Sequence, residues 1–307
     1  MEFSIELQKE MQRAFRMCRD VVRQFPPPFA ESGVHYLNRF DPEHGNSSTN
    51  YICCLLPYWL RVAAKASIET CREIAEANIF GMLHFHLQDA LIDQVSQKDR
   101  TSVILSQLFH AEMNVRYAAL FPSASHFRQA LLSCTSQWAS GLAAEQRNDS
   151  FFERPQDLAD RSAPLLLCPL VLFAEDPFLQ KQAIHDVGEV LITLQMADDW
   201  ADYKQDLQDG SYNCLVSLYR KEYAQDPKIS VFPSDIDQAV YAKGMLSRYA
   251  QFSTERQLRL QQAQPYFPDL LDFHKALAGD LAKIAEQIER EKQKLALGGL
   301  HYWLMDQ

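Results

Sequence analysis

Glycine is scarce in this sequence, with 10 in 307 residues. Neither GxGxxG nor GxxxxGK[ST] occurs, which argues against the glycine-rich turns of dinucleotide-binding and P-loop folds. Basic residues are also too few for a nucleic-acid surface, because 40 Asp and Glu outweigh 30 Lys and Arg and give a net charge of −10. The composition therefore predicts no nucleic-acid partner. It leaves room for an anionic small molecule held through bound cations.

Paired cysteines and long apolar runs are missing as well. The seven cysteines are odd in number and form no CxxC, which indicates reduced, buried thiols rather than a disulfide framework. The N-terminal MEFSIELQKEMQRAF is charged and amphipathic, unlike a secretory signal peptide. The longest apolar run, 163–174, contains prolines and is too short to cross a bilayer. We therefore expect a cytoplasmic protein with no integral membrane segment.

Helical periodicity is present along almost the whole chain, without the alternating pattern of strands. The predicted helices cover 3–24, 51–64, 68–97, 101–121, 124–146, 156–174, 178–208, 212–224, 234–262 and 267–298. A polar stretch with Pro, Gly, Asn and Ser predicts a long loop over 25–50. No linker or repeat divides the chain. We predict one all-α domain over 1–307, a helical bundle around a deep central cavity.

Two acidic segments carry the candidate chemistry. Asp198, Asp202 and Asp206 repeat every four residues in LITLQMADDWADYKQDLQDGSYN, which places three carboxylates on one helix face over roughly 12 Å. Asp89 and Asp93 repeat at the same spacing in MLHFHLQDALIDQ. Such pairs are common on solvated helices. Here each follows a segment that is apolar on most sides and is expected to be buried, where unpaired carboxylates are costly. We therefore predict a Mg²⁺ site.

These segments resemble the motifs of the class I isoprenoid synthase superfamily, which includes terpene synthases, trans-prenyl diphosphate synthases and squalene/phytoene synthases. The second segment matches the terpene-synthase pattern (N/D)DxxSxxxE, with Asp198 first and aspartates in the last two places, and DGSYNCLV is similar to the turn that follows it. The same stretch also resembles QDDxxD and DxxxD. The first segment matches DDxxD with Ala90 in the second place.

The resemblance implies a role for each acidic residue. Mg²⁺ ions would bridge the substrate diphosphate and five carboxylates, those of Asp89, Asp93, Asp198, Asp202 and Asp206. Whether Asp198 or Asp199 is the ligand stays open. Asp89, Asp93 and Asp202 would be catalytic through the metal.

The resemblance also implies substrate-binding residues outside the acidic motifs. Arg161 is similar in place to the diphosphate-binding Lys-Thr of prenyl diphosphate synthases and would be both catalytic and substrate-binding. Its alternative is a helix-start arginine paired with Asp157 or Asp160. The other candidates for contacting substrate are Lys204, Phe85, Gln195 and Trp200, although ordinary packing or solvation is the alternative for each.

The implied function is a class I terpene synthase. It would use Mg²⁺ to ionise a prenyl diphosphate of fifteen or twenty carbons and release diphosphate with a hydrocarbon or alcohol. The substrate could be a bicyclic diterpenyl diphosphate, which would place a class II cyclase upstream. A prenyltransferase or squalene/phytoene-type synthase is the alternative, although the sequence lacks a GGKR-type segment for isopentenyl diphosphate. A catalytically silent helical binding protein is a further alternative, favoured by Ala90. A homodimer is also considered.

Overall fold

The structure is a computed structural model that describes residues 3–44, 51–93, 100–145, 149–224, 230–262 and 266–296. All regular structure within these ranges is helical, which confirms the predicted all-α class. In the same ranges, no helix is long and apolar enough to be a candidate membrane span.

Helices follow one another through each of the described ranges. In chain order they are α1 (Ile5–Val22), α2 (Phe29–Asn38), α3 (Tyr51–Ala64), α4 (Ile68–Asp93), α5 (Arg100–Leu120), α6 (Ala124–Glu145), α7 (Ser150–Glu153), α8 (Gln156–Asp160), a 3-10 helix (Ala163–Leu166), α9 (Leu167–Leu172), α10 (Pro177–Asp209), α11 (Cys214–Tyr223), α12 (Pro233–Lys243), α13 (Met245–Gln262) and α14 (Pro268–Ala296).

The chain divides into two compact units, each assembled from two stretches of sequence. Unit 1 comprises Met1–Ala139 and Ser162–His185, and unit 2 comprises Ser140–Arg161 and Asp186–Gln307. The single domain and its central cavity stay predictions.

In unit 1, α4 is the central helix and packs against α1, α3 and α5. Apolar side chains meet at these contacts, and the ring centroids of Phe80 in α4 and Phe109 in α5 lie 6.2 Å apart. At the rim, Arg72 of α4 donates to Glu10 of α1 at 2.6 Å. Because three helices pack against α4, the helix is held firmly before the turns that carry Asp89.

In unit 2, the part of α10 from residue 186 onward is fixed by buried polar contacts. Thr193 lies 2.7 Å from Nε2 of His274 in α14. The buried Tyr249 hydroxyl of α13 donates to the carbonyl of Met196 at 2.9 Å. These bonds satisfy polar groups away from water, and therefore they define one rotation of α10 about its axis. The acidic residues that follow are presented in a fixed orientation.

The predicted loop over 25–50 is wrong for residues 29–38, which form α2. The prolines before Phe29 stop α1, but proline also suits the start of a helix. Gly33 contributed to the loop prediction, because glycine is common in turns. In the structure a glycine is needed there for close packing, since a Cβ would lie 2.6 Å from Val22 and 3.1 Å from Leu105. Residues 45–50 of the predicted loop lie outside the described residues.

Two long predicted helices are interrupted. The predicted helix 156–174 consists of α8, the 3-10 helix and α9, because Pro164 and Pro169 each remove a backbone donor. The predicted helix 234–262 is divided into α12 and α13 by Gly244, which has a φ of 69°. The ends predicted at 94–97, 146 and 297–298 lie outside the described residues, as do 263–265 between α13 and α14.

Candidate active site

The acidic face of α10 lies wholly in unit 2. Asp198 and Asp202 are exposed and Asp206 is half-buried. In the part of the chain that the structure describes, no hydrogen bond or ion pair engages the carboxylates of Asp198 and Asp202. Two adjacent turns of one helix therefore present carboxylate oxygens that are available to a ligand.

Negative charge and burial outweigh positive charge around Asp198. Surrounding protein and the negative charges of Asp199 and Asp202 raise the pKa of Asp198 to about 7, against a partial lowering by Arg161. The side chain nevertheless keeps an exposed surface, so a ligand can reach it. A bound cation would relieve this repulsion.

Asp199 has a different role from its neighbour. Its side chain is 3% exposed, and both carboxylate oxygens are occupied by the protein itself. Oδ1 accepts from Gln195 Nε2 at 2.6 Å, and Oδ2 accepts from the backbone N–H of Cys214 at 2.6 Å. Burial raises the pKa of Asp199, and these two donors oppose the rise. Of the two candidate ligands at this position, Asp198 is the one with available oxygens.

Asn213 connects the end of the acidic face to α11. Its side-chain Nδ2 donates to the carbonyl of Asp199 at 2.8 Å and to Oδ2 of Asp206 at 2.7 Å. Its Oδ1 caps α11 by accepting from the N–H groups of Leu215 and Val216. The pKa of Asp206 is raised by burial, and the bond from Asn213 opposes that rise. One residue thus links α10, its acidic face and the next helix.

Arg161 follows α8 at its C-terminal end and does not start that helix. Arg154 contacts Asp157 at 3.4 Å and Gln156 donates to Asp160 at 3.3 Å, so each of these carboxylates has a partner other than Arg161. The positive charge of Arg161 partly opposes the raised pKa values of Asp198, Asp199 and Asp206, and its contact with a substrate stays a prediction.

Gly141 of α6 sets the place of the Arg161 backbone. A Cβ at this position would lie 3.0 Å from the nitrogen of Arg161 and 3.0 Å from the carbonyl oxygen of Asp157. Both are backbone atoms, which cannot swing aside as a side-chain end can. The end of α8 therefore approaches α6 as closely as it does because residue 141 has no side chain.

The other predicted substrate contacts in unit 2 have partners within the protein. Lys204 forms an ion pair with Asp237 at 3.3 Å. Trp200 stacks on Tyr203 with 5.8 Å between ring centroids, and Gln195 supports Asp199. These contacts agree with the packing alternatives, and direct contact with substrate stays a prediction for each residue.

The first acidic segment lies in unit 1, at the end of α4. Asp89 is half-buried. Burial raises the pKa of Tyr36 to about 12; Arg39 opposes this rise and Asp89 adds to it. Asp93 ends α4, and its side chain is outside the described set, so its role stays a prediction. Phe85, one turn before Asp89, packs edge-to-face on Trp138 with 5.1 Å between centroids.

A test of the donor set concerns Mg²⁺. Among the described residues, no three His, Cys, Asp or Glu side chains are grouped as a metal centre. Asp198 and Asp202 are separated by roughly 6 Å of helix rise. Mg²⁺ usually takes one or two carboxylates and completes its shell with phosphate oxygens and water. The two exposed carboxylates fit that chemistry, with diphosphate supplying further ligands.

Sequence reasoning missed part of the support around this face. A signal existed for Asn213, because an asparagine directly before CLV reads as an N-cap. No local signal pointed to Asp149, whose carboxylate accepts from the hydroxyls of Tyr212 at 2.9 Å and Ser217 at 2.6 Å. These partners are more than sixty residues away in sequence. The contact therefore becomes visible only in the folded unit.

Comparisons with known proteins bear on the fold. No family model and no curated protein matches this chain. A solved structure that is similar is geranylgeranyl pyrophosphate synthetase from the archaeon Geoglobus acetivorans, with a TM-score of 0.63 and 12% sequence identity. The similarity covers 89% of this chain and 99% of that chain. The chain has the all-α isoprenoid synthase fold, which confirms the resemblance to the class I isoprenoid synthase superfamily at the level of the fold.

Proposed function

We propose that this protein is a Mg²⁺-dependent class I terpene synthase that releases diphosphate from a prenyl diphosphate of fifteen or twenty carbons. The observation that carries the proposal is the exposed pair Asp198 and Asp202 on α10, in a chain with the isoprenoid synthase fold. The raised pKa of Asp198, caused by burial and by neighbouring negative charge, supports a cation as the missing partner.

The roles of the residues follow from their chemistry. Asp198, Asp202 and Asp206 would hold the Mg²⁺–diphosphate group, together with Asp89 and Asp93 of the first segment. Bound Mg²⁺ would neutralise charge that develops on the leaving diphosphate.

Arg161 would donate charge-assisted hydrogen bonds to diphosphate oxygens. Its charge opposes the raised pKa values of Asp198 and Asp206 on the acidic face and of the adjacent Asp199, which supports a role near that face. Phe85 and Trp200 would offer aromatic faces to a carbocation.

A prenyltransferase is the second candidate. It is supported by the similarity to a structure named as a geranylgeranyl pyrophosphate synthetase, which covers almost all of that chain. The matched motif in this chain also resembles QDDxxD. The absence of a GGKR-type segment remains the sequence feature that favours the terpene synthase.

One assay separates the candidates. The protein is incubated with Mg²⁺ and a fifteen- or twenty-carbon prenyl diphosphate, with and without isopentenyl diphosphate, and products are identified by gas chromatography and mass spectrometry. A hydrocarbon or alcohol formed without isopentenyl diphosphate is expected. A longer prenyl diphosphate formed only with isopentenyl diphosphate would establish the prenyltransferase.

Two further arms complete the assay. Turnover restricted to a bicyclic diterpenyl diphosphate would support an upstream class II cyclase. Excess chelator should abolish diphosphate release, and added Mg²⁺ should restore it. Binding of prenyl diphosphates without product or diphosphate release in any arm would favour the silent binding protein and contradict both catalytic proposals. The homodimer stays a prediction that sedimentation would test.

A further inference from the structure

Asn213 uses the full hydrogen-bonding capacity of its side chain. A carboxamide has two N–H donors and a carbonyl oxygen with two lone pairs. Here Nδ2 donates to Asp199 O and Asp206 Oδ2, and Oδ1 accepts from two N–H groups of α11. The side chain is 2% exposed, so these bonds are largely shielded from water. An N-cap needs only the carbonyl half, and the donor half therefore requires a separate explanation.

The donor half acts on the acidic face. α10 ends at Asp209, and Gly210 reverses the chain with a φ of 75°. The N–H of Ser211 returns to the carbonyl of Asp206 at 2.9 Å. This turn carries Asn213 back alongside the last acidic residue, where it holds one oxygen of Asp206 at 2.7 Å.

The turn itself is fixed from its other side. The Tyr212 hydroxyl donates to Asp149 at 2.9 Å and accepts from the N–H of Phe151 at 2.7 Å. Because the residue directly before Asn213 is tied at both its donor and its acceptor, the position of the Asn213 backbone is well determined. The contact between Asn213 and Asp206 is thus built into the fold of unit 2.

We propose that Asn213 is a positioning residue for Asp206, which holds one carboxylate oxygen so that the other is directed to a Mg²⁺–diphosphate ligand. This inference rests on the proposed function. Without the bond, the Asp206 side chain would have to be ordered when the ligand binds, and binding would lose that ordering free energy. Asn213 does not touch substrate in this scheme and acts only through Asp206.

The capping and bridging roles can be separated by substitution. Asn213→Ser keeps an N-cap acceptor, but its side chain is too short to cap α11 and donate to Asp206 at the same time. Asn213→Asp keeps the acceptor, has no donor when ionised, and adds a negative charge beside Asp206. Ser4→Ala removes the N-cap bond of α1 to the Leu7 N–H, which is 3.2 Å long. It serves as the control for loss of a cap in unit 1, away from the acidic face.

The measurements are calorimetric titration of inorganic diphosphate with Mg²⁺ present, and the melting temperature without ligand. We expect Asn213→Ser to weaken diphosphate binding about tenfold, the worth of one ordered hydrogen bond, and to lower the melting temperature as well, because buried hydrogen bonds are lost. Ser4→Ala should lower the melting temperature and keep wild-type affinity. In an Asp206→Asn background, Asn213→Ser should cause no further loss, because the two residues act as one unit.

Each other outcome has a meaning. Wild-type affinity in both Asn213 variants would overturn the positioning role while the proposed function stands. An affinity loss that persists in the Asp206→Asn background would also overturn it. If the wild-type protein binds no diphosphate with Mg²⁺, the proposed function fails, and this inference with it. If Asn213→Ser does not fold, Asn213→Asp is measured in both backgrounds: a loss that vanishes with Asp206→Asn acts through Asp206, and a loss that persists overturns the positioning role.

Discussion

The two acidic segments are alike in sequence spacing and differ in their surroundings within each unit. On α10, the charge of Arg161 acts on Asp198 and Asp206, and the buried Asn213 holds Asp206 by a hydrogen bond. On α4, Asp89 is half-buried, and its negative charge adds to the raised pKa of Tyr36. Identical spacing therefore describes a face with a cation nearby in unit 2 and a segment near a phenol in unit 1.

This difference indicates how each segment would meet a ligand. A carboxylate that a hydrogen bond already holds, as Asn213 holds Asp206, needs little ordering when it binds, and the charge of Arg161 would attract the same anionic ligand. We therefore expect the segment on α10 to dominate both binding and catalysis. The first two of four experiments test that expectation, and the other two compare the stability contributed by single residues of α10 and of the two units.

The largest expected effect comes from parallel removal of one carboxylate in each segment. Asp202→Asn should lower the rate of diphosphate release about 10²–10³-fold, comparable to loss of one strong transition-state contact. Asp89→Asn should cost clearly less. The melting temperature of Asp202→Asn without metal should stay level or rise, because a repulsive like charge is removed. Equal rate losses in the two variants would break the comparison.

The second experiment tests Arg161, the basic residue whose charge acts on the acidic face of α10. Arg161→Ala should weaken the binding of inorganic diphosphate roughly ten- to a hundredfold, since a charge-assisted hydrogen bond contributes about 1.5–3 kcal/mol. Arg154→Ala is the matched control, because Arg154 is exposed and pairs with Asp157. Calorimetric titration in the presence of Mg²⁺ measures both. Equal diphosphate affinities in the two variants would show that Arg161 does not contact diphosphate.

The third experiment separates the adjacent aspartates of α10 by stability. Asp199→Asn should lower the free energy of unfolding by about 1–3 kcal/mol. The reason is that the NH₂ group of the new asparagine would face a second donor, either Gln195 Nε2 or the Cys214 N–H, and one hydrogen bond would be lost. Asp198→Asn should leave stability level or raise it at neutral pH, since the raised pKa of Asp198 shows that its ionised form is disfavoured in the fold. Urea unfolding of both variants provides the measurement. If Asp198→Asn were the less stable variant, the structural role assigned to Asp199 would be wrong.

The smallest expected effect compares a buried histidine from each unit. Burial, with His110 nearby, lowers the pKa of His84 to about 4; burial, with Arg256 nearby, does the same for His274. The unfolded chain takes up these protons first on acidification. The stability that each neutral histidine contributes is therefore fully present above its ordinary pKa of 6.5 and is lost as the pH falls towards 4.

Variants isolate this effect from other titrating groups. Relative to His84→Gln or His274→Gln, the wild-type protein should lose about 1 kcal/mol of unfolding free energy between pH 7 and 5.5 for each histidine. Each curve also includes the acidic groups near these sites, such as Glu189, which accepts from Arg256 at 2.8 Å. Because those groups are shared, the difference between two curves reports the histidine alone. Parallel curves would contradict the lowered pKa.

Much of the fold followed from sequence periodicity, and the exceptions have physical causes. The segments of α4 and α10 were predictable because apolar residues continue for many turns. The sequence did not reveal α2, since Gly33 is required by close packing, and packing partners are not local in sequence. The break at Gly244 was equally hidden, because a helical pattern can continue through an isolated glycine.

The candidate site was predictable where a motif is local. The spacing of Asp198 and Asp202 indicated one helix face, and both are exposed there. The distinct role of Asp199 was not predictable, because its partner Cys214 is fifteen residues away across a turn. Sequence spacing predicts the helix face on which a side chain lies. It does not predict which hydrogen-bond donors the fold brings next to that side chain.

Gly141 is a position near the site where substitution should be harmful although the residue has no chemical role. Even alanine there would lie 3.0 Å from backbone atoms of Arg161 and Asp157, so the end of α8 would have to shift by a few tenths of an ångström to admit it. A survey of all single substitutions should find activity sensitive to side-chain size at this position, although no charge or ligand is lost. Natural variation at Gly141 would thus be constrained by the placement of an arginine twenty residues later in the chain.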